Sequence, residues 1–390
     1  MIKYLSFYFS LDIFVKSFNV LALIVITPLV SQNSQILITN YTVMFTLLMS
    51  IFTLSQLGLI PKSTNLKGDK LEFDLSVIFL GLLPLLLILL LFISTQNYLY
   101  SLACIAAASS FLYQSYQSGN NIHLRLRAIF NADLIWITST ILVILLLLYF
   151  GIKDENLRIL SHLSGLLTVS LIFFSSRFRF KENILISMKK NIVLGSWMTI
   201  YAGFQWFLVY GDKLMLNIAD LNSNMISIFM MTNILQLQLL GGLAILKASK
   251  AKILELVLNK DFTNLLSLAK LHILLSLFGI FICIFIYISY VKFLEIEQVD
   301  ILSISIYGCI YLSISILYFF YQLVVFLDKQ EEVSKKLLAF ILPIMISTIF
   351  LFLYINTEPV VLQFGFLFSS IILLVITRNV AIKTMLKWFT

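Results

Sequence analysis

Residues 74–94 read DLSVIFLGLLPLLLILLLFIS. After Asp74, twenty residues follow without a charge. A helix that crosses a bilayer needs about 20 apolar residues, and this run supplies them in one piece. The rest of the chain extends that reading. Its 390 residues are 60% hydrophobic and 12% charged, against roughly 45–50% and 25% in a soluble domain. Mean hydropathy is +1.00. Twelve crossing helices would use roughly 240 residues, which is about the hydrophobic fraction. The expected fold is an all-α polytopic membrane protein with little extramembrane mass. Outer-membrane barrels show alternating ten-residue strands instead, and these runs are too long and too uniformly apolar for that.

The apolar runs fall into twelve segments: 6–29, 38–60, 74–94, 97–118, 130–151, 159–176, 192–218, 223–246, 271–291, 301–327, 336–355 and 359–377. Asp12 and Lys16 interrupt the first run, and no small-residue cleavage site follows it, so it is expected to be a retained first helix rather than a signal peptide. Lysine and arginine set the orientation. With the N-terminus inside, 22 of the 27 fall on the cytoplasmic side and only Lys153, Arg158 and Lys292 outside, with Lys16 and Lys213 within spans. One helix more or fewer would scramble that asymmetry. Both termini are thus expected in the cytoplasm. The formal charge of +8 suits loops meeting anionic headgroups and gives no reason to invoke nucleic acid. The connection 247–270, KASKAKILELVLNKDFTNLLSLAK, mixes lysines with Leu and Ile at helical spacing. It is expected as an amphipathic helix on the inner leaflet, with a charged linker as the alternative. Cys104, Cys283 and Cys309 lack ligand spacing and read as small core residues.

A repeat runs through the chain. Ser110-Phe-Leu-Tyr-Gln-Ser-Tyr-Gln117 and Ser315-Ile-Leu-Tyr-Phe-Phe-Tyr-Gln322 share the pattern S-x-L-Y-x-x-Y-Q. The second and eighth spans both end on Gln then Gly, Gln56-Leu-Gly58 and Gln238-Leu-Leu-Gly241-Gly242. Helices 1–6 therefore map onto 7–12 as a parallel pseudo-repeat of two six-helix bundles around a central cavity, the build in which transporters bind substrate between halves. The expected domains are 1–176, a basic cytoplasmic linker at 177–191, and 192–390 with a cytoplasmic tail.

Ionisable groups inside a membrane are functional candidates. Tyr8, Asp12, Lys16 and Asn19 form one stripe on the first helix. Lys16 lies roughly 15 Å from the inner end, near the midplane. The seventh helix carries Thr199, Gly203, Trp206, Tyr210, Lys213 and Asn217 on one face, and Tyr201, Gln205 and Asp212 on another. Lys213 sits roughly 27–32 Å along from residue 192, so snorkelling to the outer headgroups is its plain alternative. For Lys16 the alternative is a structural pair with Asp12. Tyr307, Tyr311, Ser315, Tyr318 and Gln322 line the tenth helix, and Ser109, Tyr113 and Tyr116 the fourth. These stripes suggest a hydrated cavity of tyrosine, amide and lysine, fitted to sugar hydroxyls and to phosphate, or else glue between helices.

Asp133 is expected near the cytoplasmic entrance of the fifth helix, with Arg125 and Arg127 as a basic vestibule or as ordinary positive-inside anchors. His162 reads as a plain buried histidine. The chain has no Walker A motif, no Rossmann glycine fingerprint, no H-E-x-x-H and no G-x-S-x-G, so it is expected to be neither an enzyme nor an ATP-driven pump. Energy must come from an ion gradient, from metabolism on either side of the membrane, or from a partner. No cofactor and no metal are expected.

The stretch Gly195–Met231, GSWMTIYAGFQWFLVYGDKLMLNIADLNSNMISIFMM, resembles the seventh helix and exit of the polysaccharide-repeat (O-antigen, Wzx-type) flippases of the multidrug/oligosaccharidyl-lipid/polysaccharide exporter superfamily. Asp212-Lys213 stands in the place of that family's Asp-basic pair. Span count, length and cytoplasmic termini extend the resemblance over nearly the whole chain. Lys replaces the frequent Arg, and Met225-Ile-Ser-Ile-Phe229 stands where Gly-x-Tyr is usual. The resemblance implies a flippase of the bacterial cytoplasmic (inner) membrane, carrying polyprenyl-diphosphate-linked oligosaccharide to the outer leaflet by alternating access. It implies coupling to an H+ or Na+ gradient, and a polysaccharide polymerase and chain-length regulator as partners. On this reading Lys16, Lys213, Asn19, Trp206, Tyr210, Asn217, Tyr311 and Tyr318 hold substrate, and Asp12 and Asp212 pair with the lysines or exchange protons. Two rival functions stand beside it. An O-antigen polymerase would resemble its kind in a large basic outer loop, which this chain lacks. A drug or metabolite exporter of the same superfamily would favour acidic cavity residues.

Overall fold

The computed structural model describes residues 18, 20–53, 56–67, 70–123, 125–179, 184–294, 299–355 and 358–389. Helices dominate: α1 (Val20–Leu29), α2 (Gln32–Leu47, continued by a π turn to Phe52), α3 (Leu75–Ser94), α4 (Tyr98–Ile122), α5 (Leu126–Tyr149), α6 (Glu155–Ser170), α7 (Ile184–Ile218), α8 (Asn222–Leu258), α9 (Phe262–Leu294), α10 (Ile301–Phe326), α11 (Gln330–Tyr354) and α12 (Pro359–Phe389). Among the described residues, ten helices are long and apolar enough to cross a membrane. The chain is a multi-pass, all-α membrane protein. Its apolar residues face outward where lipid replaces water: Leu274, Phe278, Phe281 and Phe285 recur along one exposed face of α9.

Two helices fall outside the ten. α1 is short, and α4 is too polar. The polarity of α4 has a packing reason. It lies against α2, α3, α5 and α6, with Ala103, Ala106, Ala107, Phe111 and Ser115 fully buried. A helix wrapped by its neighbours needs no apolar coat of its own.

Several helices begin on a side-chain cap. Asp74, Asp154 and Asp300 accept from the backbone N–H of Ser76, Asn156 and Ser303 at 3.0, 2.9 and 2.8 Å. Five helix pairs close through one residue of left-handed backbone: Gln96, Gly151, Asp220, Lys260 and Asp328. One of these turns corrects an expectation. The stretch from Lys247 is no separate surface helix. α8 runs unbroken to Leu258, turns at Lys260, and α9 starts at Phe262. The helical spacing of its lysines and leucines was real, but no Gly or Pro follows Gly242 to stop α8.

The chain divides into two compact units, Met1–Ile24 with Phe207–Thr390, and Val25–Trp206. The linker expected at 177–191 falls inside the second of these, and the boundary passes through α7. Two local features explain this. Arg177–Arg179 forms a strand tied to the second unit, and α7 runs unbroken from Ile184 to Ile218. That strand, β3, pairs in parallel with β2 (Lys70–Asp74), which pairs antiparallel with β1 (Thr64–Lys67). Phe73 of β2 is fully buried and packs on Phe173 at 4.9 Å between centroids, beside Leu71, Val77 and Phe111. Glu72 and Arg179 join the strands at 3.6 Å. The sheet lies in two segments expected only as basic connections.

Within each unit the packing follows one plan. In the second, α4 contacts α2, α3, α5 and α6, and α5 pairs with α6. In the first, α10 contacts α8, α9, α11 and α12, and α11 pairs with α12. Each octet of the sequence repeat lies on the central helix of its unit. In the first unit that helix is approached closely. A Cβ on Gly242 would lie 2.7 Å from Ser315 Oγ, whereas one on Gly241 meets nothing within 4 Å. Ser315 Oγ is already engaged with Ser276 Oγ at 2.8 Å, and its carbonyl lies 2.9 Å from His272 Nε2. Gly242→Ala is therefore expected to destabilise by about 1–3 kcal/mol, and Gly241→Ala to be neutral or stabilising by up to about 1 kcal/mol. Thermal melting in detergent checks both. Equal losses would contradict this packing.

Candidate functional site: a buried Asp–Lys–Tyr cluster

The first unit encloses two opposite charges on consecutive residues of α7. Asp212 and Lys213 are each 1% exposed, and Lys213 Nζ lies 2.9 Å from Asp212 Oδ1. The lysine stem turns back along the helix, so that Nζ also donates to the Val209 carbonyl at 2.6 Å. Its remaining face is covered by aromatic rings, Tyr307 at 5.4 Å and Tyr210 at 5.9 Å from Nζ. Each ring presents its negative face to the cation. Tyr307, on α10, also donates its hydroxyl to Asp212 Oδ2. Lys213 therefore does not snorkel to a surface; it is held inside the protein by a carboxylate, a carbonyl and two rings.

The polar contacts continue outward. Gln236 of α8 donates to Tyr210 Oη at 3.0 Å. Tyr311 lies one turn along α10 from Tyr307, fully buried, within electrostatic reach of Asp212 and Tyr210. Tyr318, half-buried, also adjoins Tyr210. The structure thus brings together Tyr210, Asp212, Lys213, Tyr311 and Tyr318. It adds Tyr307, which the sequence marked only as part of a stripe, and Gln236, which no sequence signal marked. A tyrosine one turn before Tyr311 on the same stripe was the available clue to Tyr307.

Other expected residues lie apart from this cluster. Trp206 is buried and donates Nε1 to Thr46 Oγ1 at 3.1 Å, within the second unit. Asn217 is half-buried one turn beyond Lys213. Arg125 is half-buried and Arg127 exposed, at the start of α5 in the second unit. Asp12, Lys16 and Asn19 lie outside the described residues.

The second unit has its own buried carboxylate. Asp133, in the first half of α5, is 1% exposed. It accepts from Tyr113 Oη and from Gln117 Nε2, and Gln117 also donates to Tyr113 Oη at 2.7 Å. Tyr113 and Gln117 are positions four and eight of the octet, so the repeat motif seals this acid. Arg158 is corrected. It was expected in an outer loop and is instead buried in the first turn of α6. His162, one turn on, lies 3.0 Å from Tyr41 Oη through Nδ1 and meets Phe45 edge-on at 4.9 Å. It is a buried histidine, as its sequence suggested. Of the cysteines, Cys104 and Cys283 are buried, but Cys309 is exposed.

Two opposite charges this deeply buried depend on each other. Removing one partner of a buried pair costs about 3–5 kcal/mol, because the other is left uncompensated. Lys213→Met is expected to lower the melting temperature sharply. The double variant Asp212→Asn/Lys213→Met is expected to recover most of the loss. A double variant as unstable as the sum of the two single ones would contradict direct pairing.

No family model matches the chain, and no curated protein does. Among solved structures it is similar to an inward-facing conformation of a multidrug resistance MATE family transporter of the MOP superfamily. The TM-score is 0.53 at 13% identity, over 95% of this chain and 94% of that one. A MATE in complex with Br-NRF aligns with TM-score 0.47 at 12% identity, over 100% and 94%. At the first of these scores the likeness is one of fold: this chain has the MATE-like fold found in the MOP superfamily.

Proposed function

We propose that this chain is a membrane exporter that works by alternating access, and that its cargo is a polyprenyl-diphosphate-linked oligosaccharide carried between leaflets of a bacterial cytoplasmic membrane. The MATE-like fold supports the exporter. The observation that carries the cargo is Lys213, a cation held inside the membrane-spanning part of the first unit. A diphosphate passing through a low-dielectric interior needs a compensating positive charge. In the described arrangement Asp212 supplies the counter-charge. On this reading the diphosphate competes with Asp212 for Lys213, and Tyr307 keeps the released carboxylate hydrogen-bonded. Tyr210, Tyr311, Tyr318 and Gln236 offer hydroxyl and amide groups to sugar, and the polyprenol tail stays in lipid. An H+ or Na+ gradient would drive the cycle through Asp212 or Asp133. A polysaccharide polymerase and chain-length regulator would receive the product.

A second reading has its own support. A structural neighbour is a multidrug resistance transporter, and the buried acids Asp212 and Asp133 suit exchange of protons or cationic drugs. A drug or metabolite exporter would use the acids alone, with Lys213 making no contact to cargo.

Deletion of the gene, followed by extraction of lipid-linked sugars and assignment of their leaflet, separates these. The flippase predicts single repeat units trapped on the inner leaflet and loss of surface glycan. Unpolymerised units on the outer leaflet would instead indicate a polymerase. Unchanged glycan together with new drug sensitivity would favour the exporter of small molecules. In complementation, Lys213→Ala protein present at wild-type level is expected to restore less than a tenth of the glycan, since a charged hydrogen bond is worth about 1.5–3 kcal/mol. Full restoration would remove Lys213 from the mechanism.

A further inference from the structure

The first unit contains a polar cavity of about 240 Å³ that the Asp212–Lys213 cluster does not use. It lies where the N-terminal turns of α8, α10 and α12 converge, at the ends of α8 and α12 opposite to their basic ones. Ser223, Asn224 and Ser227 line it from α8, Asp300 and Ser303 from the start of α10, and Gln363 from α12. Ser303 and Gln363 are buried, 2% and 1% exposed, and Asp300 stands at the open edge.

The hydrogen bonding of this cavity is incomplete. Ser303 Oγ lies 2.6 Å from Asp300 Oδ2 and 2.8 Å from Gln363 Oε1. A hydroxyl has one proton and can serve only one of these acceptors at a time. Beyond its contact with Ser303 Oγ, no further hydrogen bond of the Gln363 amide is found among the described residues. A side chain this buried normally has its polar atoms paired, so Gln363 offers an amide to an occupant. Asp300 offers charge. Partial burial opposes its ionisation, but the Ser303 hydroxyl and backbone N–H outweigh this and hold its carboxyl below the usual range.

The lining also selects the occupant. It contains no lysine, arginine or aromatic residue, which disfavours a phosphate or a flat aromatic cation. Beside apolar Ile228, Val299, Pro359 and Val360, which suit the C–H face of a ring, it presents hydroxyls, amides and one carboxylate, the groups that exchange hydrogen bonds with a diol. Its volume is below the roughly 300–1,000 Å³ of drug-sized sites, which restricts it to a single ring. We propose that this cavity is a saccharide subsite that holds one neutral, polyhydroxylated sugar ring of the cargo, separately from its diphosphate. The inference rests on the oligosaccharide reading above and adds to it the place where the sugar is gripped.

The test is titration of the full chain in lipid nanodiscs with glucose, galactose and N-acetylglucosamine, read by saturation-transfer NMR, with inorganic phosphate and sodium chloride as comparators. At least one sugar is expected to saturate the wild type. Asp300→Asn keeps the helix cap but removes the charge, and is expected to bind about tenfold more weakly. Ser227→Trp fills the cavity and is expected to abolish the signal while melting like the wild type. If Ser227→Trp does not fold, Asp300→Asn and Gln363→Leu decide. Absence of sugar binding, or wild-type binding by Asp300→Asn and Gln363→Leu, overturns the subsite, as does displacement of the sugar by sodium or phosphate. A parallel leaflet assay keeps the two readings apart. Flipping without sugar binding overturns the subsite alone. Sugar binding that obeys the variants, in a protein that flips nothing, overturns the flippase and leaves the subsite.

Discussion

Inside a bilayer there is no water to satisfy a polar group, so every such group must find its partner within the protein. That constraint organises this molecule at each level. The backbone is satisfied by helices. Five helix pairs close in turns of three to five residues, each through a single left-handed position. Two sets of buried charges show the matching: Lys213 with Asp212, a carbonyl and two tyrosine rings; Asp133 with a tyrosine and a glutamine. Lipid then covers the apolar exterior that a soluble protein would hide.

The same constraint explains why each unit has a central helix. A helix surrounded by others can carry hydroxyls and amides without exposing them to lipid, and the octet S-x-L-Y-x-x-Y-Q sits on such a helix in both units. Its uses differ. In α4, Tyr113 and Gln117 close over the acid of the neighbouring helix. In α10, Ser315 bonds to α9 through both its hydroxyl and its carbonyl, while Tyr307, one octet-length earlier, reaches Asp212. Repeated sequence thus marks a repeated position in the packing plan rather than a repeated chemistry.

Helical class and most of the spans could be read from hydropathy, and the internal repeat from its octet, because a bilayer crossing demands a long apolar run that little else produces. The small sheet could not. Its strands lie in basic connections and are made by pairing residues 70–74 with 177–179, a contact distant in sequence. Asp212 and Lys213 were conspicuous as charges among apolar residues, yet whether Lys213 snorkels or turns inward depends on the Tyr307 ring from α10 and on the Tyr210 ring, which Gln236 of α8 engages. Asp133 was expected near the cytoplasmic entrance of the fifth helix, with Arg125 and Arg127 just before it in sequence. Its neighbours in space are Tyr113 and Gln117, which bury it.

By itself the sequence determined that this chain is a multi-pass helical membrane protein with a duplicated plan and a few costly charges within it, since hydropathy and charge act residue by residue along the chain. The tertiary structure alone decided which charges meet, where the units divide, that α8 runs past the lysine-rich stretch, and that Gln363 and Ser303 line a polar cavity beside Asp300. Each of these follows from side chains on different helices competing for a limited set of partners in a medium without water, a competition that only the packed arrangement resolves.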